Sequence, residues 1–281
     1  MRETWWIAGG AEDVLDRAAL LSVAGCMTVA AGGERLSSDR QSAAVRLRGK
    51  PALLVKWRRP RSGRRWKTWW RASRERREAA VSLRLLDHGI DTPAPLAVAE
   101  RREGPQLVGS VLVRRYHEGV ETADRWLARE KQAERALDLV RTLATWHDAG
   151  FRHGDCYPKN VLVDRESRHA MPIGAPYGHF TSPGPRLDRA RARDLAQWVA
   201  GLDALGFAAA LGVLTPYAEA VGMGPEVFDR VQPLLARIQA RKAARRESQP
   251  RREPEGAPLP VPLPPDRKAV DRHFRALSQL R

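Results

Sequence analysis

The chain has 281 residues, of which 43% are hydrophobic and 29% are charged, a composition that excludes a disordered or fibrous protein. Its 49 Lys and Arg residues against 33 Asp and Glu residues give a net charge of +16, which favours anionic partners such as nucleic acid, acidic membrane surfaces or phosphorylated substrates. Only two cysteines occur, Cys26 and Cys156, so a disulfide framework is excluded and a reduced, cytosolic setting is expected.

Two apolar stretches are candidates for a membrane span or an export signal. Residues 199–214 form the longest mostly apolar run, but it contains Asp203 and is shorter than the roughly 18 to 20 residues that span a bilayer. Residues 18–31 include a sequence similar to a lipoprotein cleavage box, yet acidic residues precede it where an export signal carries positive charge. We therefore expect no membrane span, and a buried helix or strand over residues 18–31.

The front of the chain is predicted to be rich in strands. Residues 1–56 are typical of short strands and turns, and they end in an apolar run. A basic, tryptophan-rich segment follows over residues 57–77. Residues 71–86 show helical periodicity with apolar residues on one face, and residues 107–113 are typical of a buried strand.

The back of the chain is predicted to be mostly helical. Its predicted elements are a helix over 133–148, a strand over 161–163, a helix over 194–211 and a basic helix over 226–246. Residues 165–186 are rich in Gly and Pro and show no clear period. The stretch after residue 250 is typical of a Pro-rich linker, and its last dozen residues leave room for a short docking helix.

Residues 153–160, with the sequence HGDCYPKN, carry the pattern that is most informative about function. In a loop between a helix and a strand, Asp155 can accept a hydroxyl proton. Asn160, five residues later, can bind a magnesium ion that bridges nucleotide phosphates. This spacing is that of the protein-kinase catalytic loop. Asp and Asn are also common in turns, however, and a packed core would equally explain His153.

Three features upstream occur in the order that a kinase requires. Lys56 ends a predicted strand, where a kinase places the Lys that pairs with nucleotide phosphates, although a surface Lys has the same signature. Glu78 lies 22 residues later on a predicted helix and can pair with Lys56, and Glu75 is the alternative partner one turn earlier. Gly32 and Gly33 can form a hairpin whose N–H groups cover phosphates, but an ordinary turn explains this pair equally well.

Together these residues resemble the lipopolysaccharide core kinases, the heptose and Kdo kinases of Gram-negative bacteria. The resemblance rests on Lys56 and on three motifs, LLDHGIDTP at 85–93, WHDAGFRHGD at 146–155 and LDRARARDLA at 187–196. It spans roughly residues 32–246. The catalytic-loop and downstream motifs are more specific than those at the front of the chain.

The resemblance implies an α+β fold with two lobes, similar to that of protein kinases. A small antiparallel-sheet lobe would occupy residues 1–115, a larger helical lobe 116–248, and a Pro-rich linker and tail 249–281. Residues 114–118 would cross the hinge, where adenine would bind to backbone groups. The implied activity is that of a kinase that uses ATP and Mg²⁺ to phosphorylate a sugar hydroxyl, of heptose or Kdo, in the lipid A–core precursor.

The resemblance also implies a role for each candidate site residue. Asp155 would be the catalytic base, and Asn160 would be a metal ligand. Lys56, Gly32 and Gly33 would bind the nucleotide phosphates, and Glu78 would orient Lys56. His153 and Asp194 would support the catalytic loop.

The metal-binding segment departs from the family pattern. The family usually reads Asp-Phe/Leu-Asp/His-Arg-Ala, with the first Asp as the magnesium ligand, whereas this chain aligns Arg186 with that position. An Arg side chain cannot bind a cation. Three explanations stay open: Asp188 replaces the ligand two residues later, the metal is held differently, or catalysis has been lost.

The basic segment points to the kind of partner. Residues 58–77 contain ten Lys or Arg and one acidic residue, and four tryptophans lie among or beside them: Trp57, Trp66, Trp69 and Trp70. Tryptophan favours the headgroup level of a bilayer, and each basic residue near an anionic surface contributes about 1 kcal/mol. Base stacking on nucleic acid and a solvated helix face are the competing interpretations.

A predicted basic helix over 237–246 adds to the same surface potential, and no nucleic-acid-binding module is recognisable. We therefore expect the lipid A–core oligosaccharide, or another anionic glycolipid, as partner. We also expect a cytoplasmic location with peripheral contact to the inner membrane, and no nucleic acid partner.

Two other functions stay open. The chain can be a kinase of the same fold that acts on another small molecule or on a protein. It can also be a pseudokinase or scaffold that binds nucleotide or partner proteins without catalysis, as Arg186 at the metal position suggests.

Overall fold

The protein is described from a computed structural model. The described residues are 2–18, 20, 22–38, 42–60, 68–130, 133–183, 188–207, 210–248 and 274–276. They divide into two compact units. The first contains the described residues up to Leu86, Pro93–Glu118 and residues 274–276, and the second contains Asp87–Thr92 and the described residues from Gly119 to Ser248.

Strands and helices alternate in the first half, and helices predominate in the second. The strands are β1 (Arg2–Ile7), β2 (Glu34–Ser38), β3 (Ser42–Leu47), β4 (Leu53–Arg58), β5 (Pro95–Glu103), β6 (Gln106–Arg115), β7 (Val120–Thr122), β8 (Phe151–Arg152), β9 (Val161–Asp164), β10 (Ala170–Pro172), β11 (His179–Phe180) and β12 (Phe274–Ala276). The helices are α1 (Glu12–Arg17), α2 (Val23–Ala31), α3 (Arg74–Asp87), α4 (Ala123–Glu130), α5 (Ala133–Asp148), α6 (Arg189–Ala204), α7 (Leu214–Ala220) and α8 (Glu226–Ser248).

The first unit is built on a seven-stranded sheet in the order β12-β1-β5-β6-β4-β3-β2. All neighbouring strands are antiparallel except β12, which pairs parallel to β1. Strands alternate their side chains between the two faces. In β4, the buried residues Leu53, Val55 and Trp57 join the core that also contains residues of α2, so the residues between them leave from the other face. On that other side Ala79 of α3 packs in a second, smaller apolar cluster.

The second unit is mainly helical, and α6 packs against α8 while α5 packs against α7. Two small antiparallel sheets accompany the helices, one in the order β10-β9-β7 and the other pairing β11 with β8. The predicted α+β class, with a sheet-rich front and a helical back, is confirmed. None of the helices among the described residues is both long enough and apolar enough to cross a bilayer.

Several local predictions were wrong. The front of the chain contains two helices, α1 and α2, as well as strands, although α2 confirms the buried helix or strand expected over 18–31. The Gly- and Pro-rich segment 165–186 contains the short strands β10 and β11. The helix predicted over 194–211 is α6, which begins earlier because the Asp188 side chain caps it. At the tail, residues 274–276 form a strand and not a helix, and the rest of the proposed linker lies outside the described residues.

Candidate active site

An ion pair joins the sheet and helix α3 in the first unit. Lys56 Nζ donates a hydrogen bond to Glu78 Oε2 at 2.6 Å. The pleat of β4 sets this contact, because it turns Lys56 away from the core that buries Val55. The Glu78 side chain is only 3% exposed whereas that of Lys56 is 23% exposed, so the Lys56 ammonium keeps access to solvent and to a further anion.

A second cation fixes the ionised state of Glu78. Arg114 Nη2 lies 3.3 Å from Glu78 Oε1 and donates to Ser82 Oγ at 2.9 Å. Burial opposes ionisation of Glu78, but the charges of Lys56 and Arg114 outweigh it and lower its pKa to about 2. Glu78 is therefore a carboxylate at neutral pH and restrains Lys56 electrostatically.

The structure decides between the two predicted partners of Lys56. Glu75 is fully buried and binds other groups, since Arg58 Nε donates to its Oε1 at 3.1 Å and Ser110 Oγ to its Oε2 at 2.6 Å. Glu78 is the partner, and Glu75 instead anchors α3 to the neighbouring strands.

In the second unit, Asp194 of α6 binds the backbone of residues 153–155, the HGD motif, which begins the HGD loop at 153–160. Its Oδ2 accepts from His153 N at 2.6 Å and its Oδ1 from Gly154 N at 2.8 Å. Asp194 is fully buried, so these hydrogen bonds to a charged acceptor form without competition from water. One turn later on the same helix, Gln197 Oε1 accepts from Cys156 N of the loop at 2.7 Å. The loop is thereby fixed along its length by one face of α6.

Asp155 and Asn160 come together as the spacing predicts. Asn160 Nδ2 donates to the Asp155 carbonyl oxygen at 2.7 Å and to its carboxylate Oδ2 at 3.2 Å. A 3₁₀ turn over Pro158–Asn160 brings the two residues together. Because the amide nitrogen of Asn160 is used in this way, its Oδ1 is the atom that remains to accept from, or ligate, another group.

His153 locks the loop from inside. Its Nδ1 is 3.3 Å from Asp155 N and its Nε2 is 3.0 Å from the Ile173 carbonyl oxygen, so the two contacts together select the tautomer that donates from Nε2. Gly154 has a φ of +76°, and a Cβ there would lie 3.0 Å from the Cβ and O of Tyr177. Only glycine meets both conditions without strain, so the loop cannot carry a side chain at this position.

Sequence reasoning missed a buried polar network behind the loop. His147 Nδ1 lies 2.7 Å from Tyr217 Oη, and its Nε2 lies 3.5 Å from Asp194 Oδ2. Burial lowers the pKa of His147, although Asp194 acts in the opposite direction. The only signal in the sequence was a histidine on the apolar face of the helix over 133–148.

This network predicts a pH dependence of stability. Because the pKa of His147 is lower in the folded protein than its usual value near 6.5, the unfolded chain binds the extra proton first. We expect the free energy of unfolding to have its full value above about pH 6.5 and to decrease as the pH falls further. This one group contributes a slope of up to about 1.4 kcal/mol per pH unit. Urea titrations between pH 5 and pH 8 measure the slope.

The matched control is His169, which is exposed and pairs with Asp91 in the same unit. His147→Gln should flatten the slope below pH 6.5, whereas His169→Gln should not flatten it. The same slope in the His147→Gln variant as in the unmodified protein would contradict the assignment of a buried neutral imidazole.

Asp188, the second predicted metal ligand, is engaged in a different way. Its Oδ1 accepts from Arg191 N at 2.7 Å as the N-cap of α6. Its Oδ2 accepts from Arg152 at 2.9 Å, and the Arg152 contacts help to lower its pKa against the opposing effect of burial. These contacts give Asp188 a structural role and leave the proposed metal role without support. Arg186, aligned with the usual ligand position, lies outside the described residues.

The residues that would hold magnesium do not fit that ion well. Asn160 Oδ1 is a suitable ligand atom, but both oxygens of Asp188 already have partners. Within the part of the chain that the structure describes, no three His, Cys, Asp or Glu side chains are grouped as metal ligands. Mg²⁺ prefers carboxylate oxygens in near-octahedral geometry.

The glycine pair does not form the predicted hairpin. Gly32 ends α2 and Gly33 leads directly into β2, so the pair joins a helix to a strand. A Cβ on Gly33 would lie 2.3 Å from Val45 Cγ1, which shows that Gly33 is needed for close packing on β3. Residues 39–41, between β2 and β3 in the sequence, lie outside the described residues.

The basic segment has two kinds of tryptophan. Trp57 is buried in the core, whereas Trp69 is 46% and Trp70 71% exposed. Arg102 holds the backbone beneath them, since its guanidinium donates to the carbonyl oxygens of Thr68 and Arg71 at 2.9 Å. Trp66 and most of the basic residues before it lie outside the described residues.

Comparisons with known proteins agree with this geometry. The family model described as "Lipopolysaccharide kinase (Kdo/WaaP) family" matches residues 58–206, which are 149 of the 281 residues. A solved structure described as WaaP in complex with acyl carrier protein is 18% identical, with a TM-score of 0.53 over 87% of this chain and 99% of that one. Its likeness shows the fold, which is similar to that of protein kinases.

Two more distant structures are also similar. A rhoptry antigen kinase domain from Toxoplasma gondii is 12% identical, with a TM-score of 0.43 over 75% of this chain and 81% of that one. The bifunctional kinase-methyltransferase WbdD is 16% identical, with a TM-score of 0.38 over 69% of this chain and 47% of that one. No curated protein sequence matches the chain.

Proposed function

The chain belongs to the lipopolysaccharide kinase (Kdo/WaaP) family, and we propose that it transfers the γ-phosphate of ATP to a sugar hydroxyl, of heptose or Kdo, in the lipopolysaccharide core. The observation that carries this proposal is the HGD loop. Its Asp155 is hydrogen-bonded to Asn160, and its backbone is held by a buried carboxylate, Asp194. An ordinary turn needs none of these partners.

In the proposed reaction, Asp155 is the general base. The acceptor hydroxyl oxygen attacks the γ-phosphorus, the bond to the bridging oxygen of the β-phosphate breaks, and ADP leaves with that electron pair. The hydroxyl proton passes to the Asp155 carboxylate. Asn160 Nδ2 orients that carboxylate through its contact with Oδ2. Such catalysis depends on positioning and charge stabilisation more than on covalent chemistry.

Lys56 is proposed to bind the nucleotide phosphates. Its ammonium is restrained by Glu78 and yet remains partly exposed, which is the state required of a cation that must also meet a ligand. Membership of a kinase family implies the use of ATP. Magnesium, when bound, would neutralise phosphate charge. Asn160 is the one predicted ligand whose contacts leave it suitable, so no step of the reaction is assigned to the metal.

The direct test is transfer of ³²P from [γ-³²P]ATP to purified acceptors. We expect label in a lipid A–core acceptor that contains an unphosphorylated heptose or Kdo. Label in an aminoglycoside or a protein, with none in the glycolipid, would instead support the alternative that the chain is a kinase for another acceptor. ATP binding without transfer to any acceptor would support a pseudokinase.

We propose an anionic glycolipid at a membrane surface as the partner. The support is the net charge of +16 together with the exposed pair Trp69 and Trp70. Replacing both tryptophans by Ala should weaken binding to vesicles that contain phosphatidylglycerol by roughly 10-fold, because two interfacial anchors are lost. Vesicle co-sedimentation measures the affinity.

The control is Leu86→Ala, which removes another exposed apolar side chain from the same unit. It should leave vesicle binding unchanged. Equal binding by the double tryptophan variant and the unmodified protein would remove the support for a membrane contact here.

A further inference from the structure

The residue that follows β10 lies directly against the catalytic loop. Ile173 N donates to the Asn160 carbonyl oxygen at 2.9 Å, and the Ile173 carbonyl oxygen accepts from His153 Nε2 at 3.0 Å. At the next residue, a Cβ on Gly174 would lie 3.1 Å from Asn160 Oδ1. The backbone of residues 173 and 174 is therefore fixed against Asn160, whose Oδ1 is the atom suited to bind a metal.

In protein kinases, the second protein ligand of magnesium is the Asp of the DFG segment, which comes after the catalytic-loop Asn along the chain. Here the catalytic-loop Asn is followed by β9, a tight turn and β10, and the next residue is Ile173. On this order of elements the ligand position falls at Ile173, whereas the alignment from sequence places it at Arg186. An aliphatic side chain offers no ligand atom to Mg²⁺.

The surrounding sequence supplies no substitute. No Asp or Glu occurs between Glu166 and Asp188. Asp188 is the capped and ion-paired residue described above. Asp164, before the turn, accepts three hydrogen bonds at Oδ1, from Glu166 N, Ser167 N and Ser167 Oγ. Asp164 and Asp188 thus each have a structural function.

We propose that this chain binds a nucleoside triphosphate without a protein-held magnesium ion, and that Ile173 occupies the position from which the metal-binding carboxylate is missing. This inference rests on the proposed nucleotide site. Without that ion, cationic groups would have to offset the phosphate charge. Restoring a carboxylate at position 173 should then create a dependence on metal.

The experiment measures ATP affinity by calorimetry in EDTA and in Mg²⁺, with the full chain. The unmodified protein should bind ATP with the same affinity in both buffers, within about threefold. Ile173→Asp should bind ATP on the order of 10-fold more tightly in Mg²⁺ than in EDTA, since the segment next to Asn160 then carries a second oxygen ligand. The matched control is Ile173→Asn, because the Asn side chain is nearly the same size as that of Asp but carries no charge. This variant should show a smaller effect of Mg²⁺ than Ile173→Asp.

Two results would overturn the inference. One is an unmodified protein whose ATP affinity rises 10-fold or more with Mg²⁺. The other is an Ile173→Asp variant that is folded, as judged by its unfolding midpoint, but indifferent to the metal.

If the unmodified protein binds no ATP in either buffer, the proposed nucleotide site fails, and a second readout decides the inference. Mn²⁺ is titrated without nucleotide, and the free ion is followed by electron paramagnetic resonance. Tighter binding by Ile173→Asp than by the unmodified protein supports a missing carboxylate. Equal affinities overturn it.

Discussion

Replacing Asp155 by Asn should lower the rate of phosphotransfer by a factor of about 10² to 10⁴. The amide is nearly the same size as the carboxylate but cannot take the proton of the acceptor hydroxyl. Because the loop backbone is held by Asp194 and not by the Asp155 side chain, the unfolding midpoint should stay unchanged. Single-turnover transfer from [γ-³²P]ATP measures the chemical step apart from product release.

The control for this variant is Asp138→Asn, which removes an exposed carboxylate from α5 in the same unit. Its transfer rate should equal that of the unmodified protein. A rate above half the normal value in Asp155→Asn would exclude Asp155 as the base, whereas unchanged ATP affinity with lost transfer would place the defect in the chemical step.

Replacing Asp194 by Ala should destabilise the second unit by about 3 to 6 kcal/mol. The change removes two hydrogen bonds from a fully buried carboxylate, at 2.6 and 2.8 Å, and leaves His153 N and Gly154 N without their acceptor. Hydrogen bonds to charged groups contribute roughly 1.5 to 3 kcal/mol each. Urea unfolding, followed by far-ultraviolet circular dichroism, measures the loss.

Asp203→Ala is the matched variant, because Asp203 lies on the same helix but is exposed, and its carboxylate accepts a hydrogen bond from Gln239 at 3.3 Å. We expect it to cost less than about 1 kcal/mol. Similar losses for both variants would mean that Asp194 does not organise the loop. In Asp194→Ala, phosphotransfer should also fall, since Asp155 belongs to the loop that is released.

The ion pair and the catalytic loop were predictable because their geometry follows from short-range rules. The pleat of β4 decides which face Lys56 takes, and the helical turn of α3 decides whether Glu75 or Glu78 faces it. In the HGD loop, a 3₁₀ turn brings an Asn five residues after an Asp back to its carboxylate. The resemblance to the lipopolysaccharide kinases rested on these residues and is confirmed by the family match.

The metal-binding position could not be located from the sequence, because the same residue type serves two different structural roles. Asp188 before a basic helix looks like a metal ligand followed by Arg-Ala, but Asp is also a preferred N-cap, and this second use is the one that the structure shows. The position proposed for Ile173 depends on where β10 ends, and a strand of three residues leaves too short a pattern to detect in the sequence. The hairpin predicted at Gly32 and Gly33 was wrong for a similar reason, since glycine is common both in hairpins and at helix ends.

Chemical labelling tests most directly whether Lys56 binds the phosphates of ATP. An acyl-phosphate derivative of ATP transfers its acyl group to a lysine amine that lies beside the bound phosphates, and mass spectrometry of the digested protein identifies that lysine. We predict acylation of Lys56 that excess ATP blocks, while the exposed Lys50 reacts equally with and without ATP. Lys56 without label, or Lys56 labelled to the same extent in excess ATP, would contradict a nucleotide site at this residue.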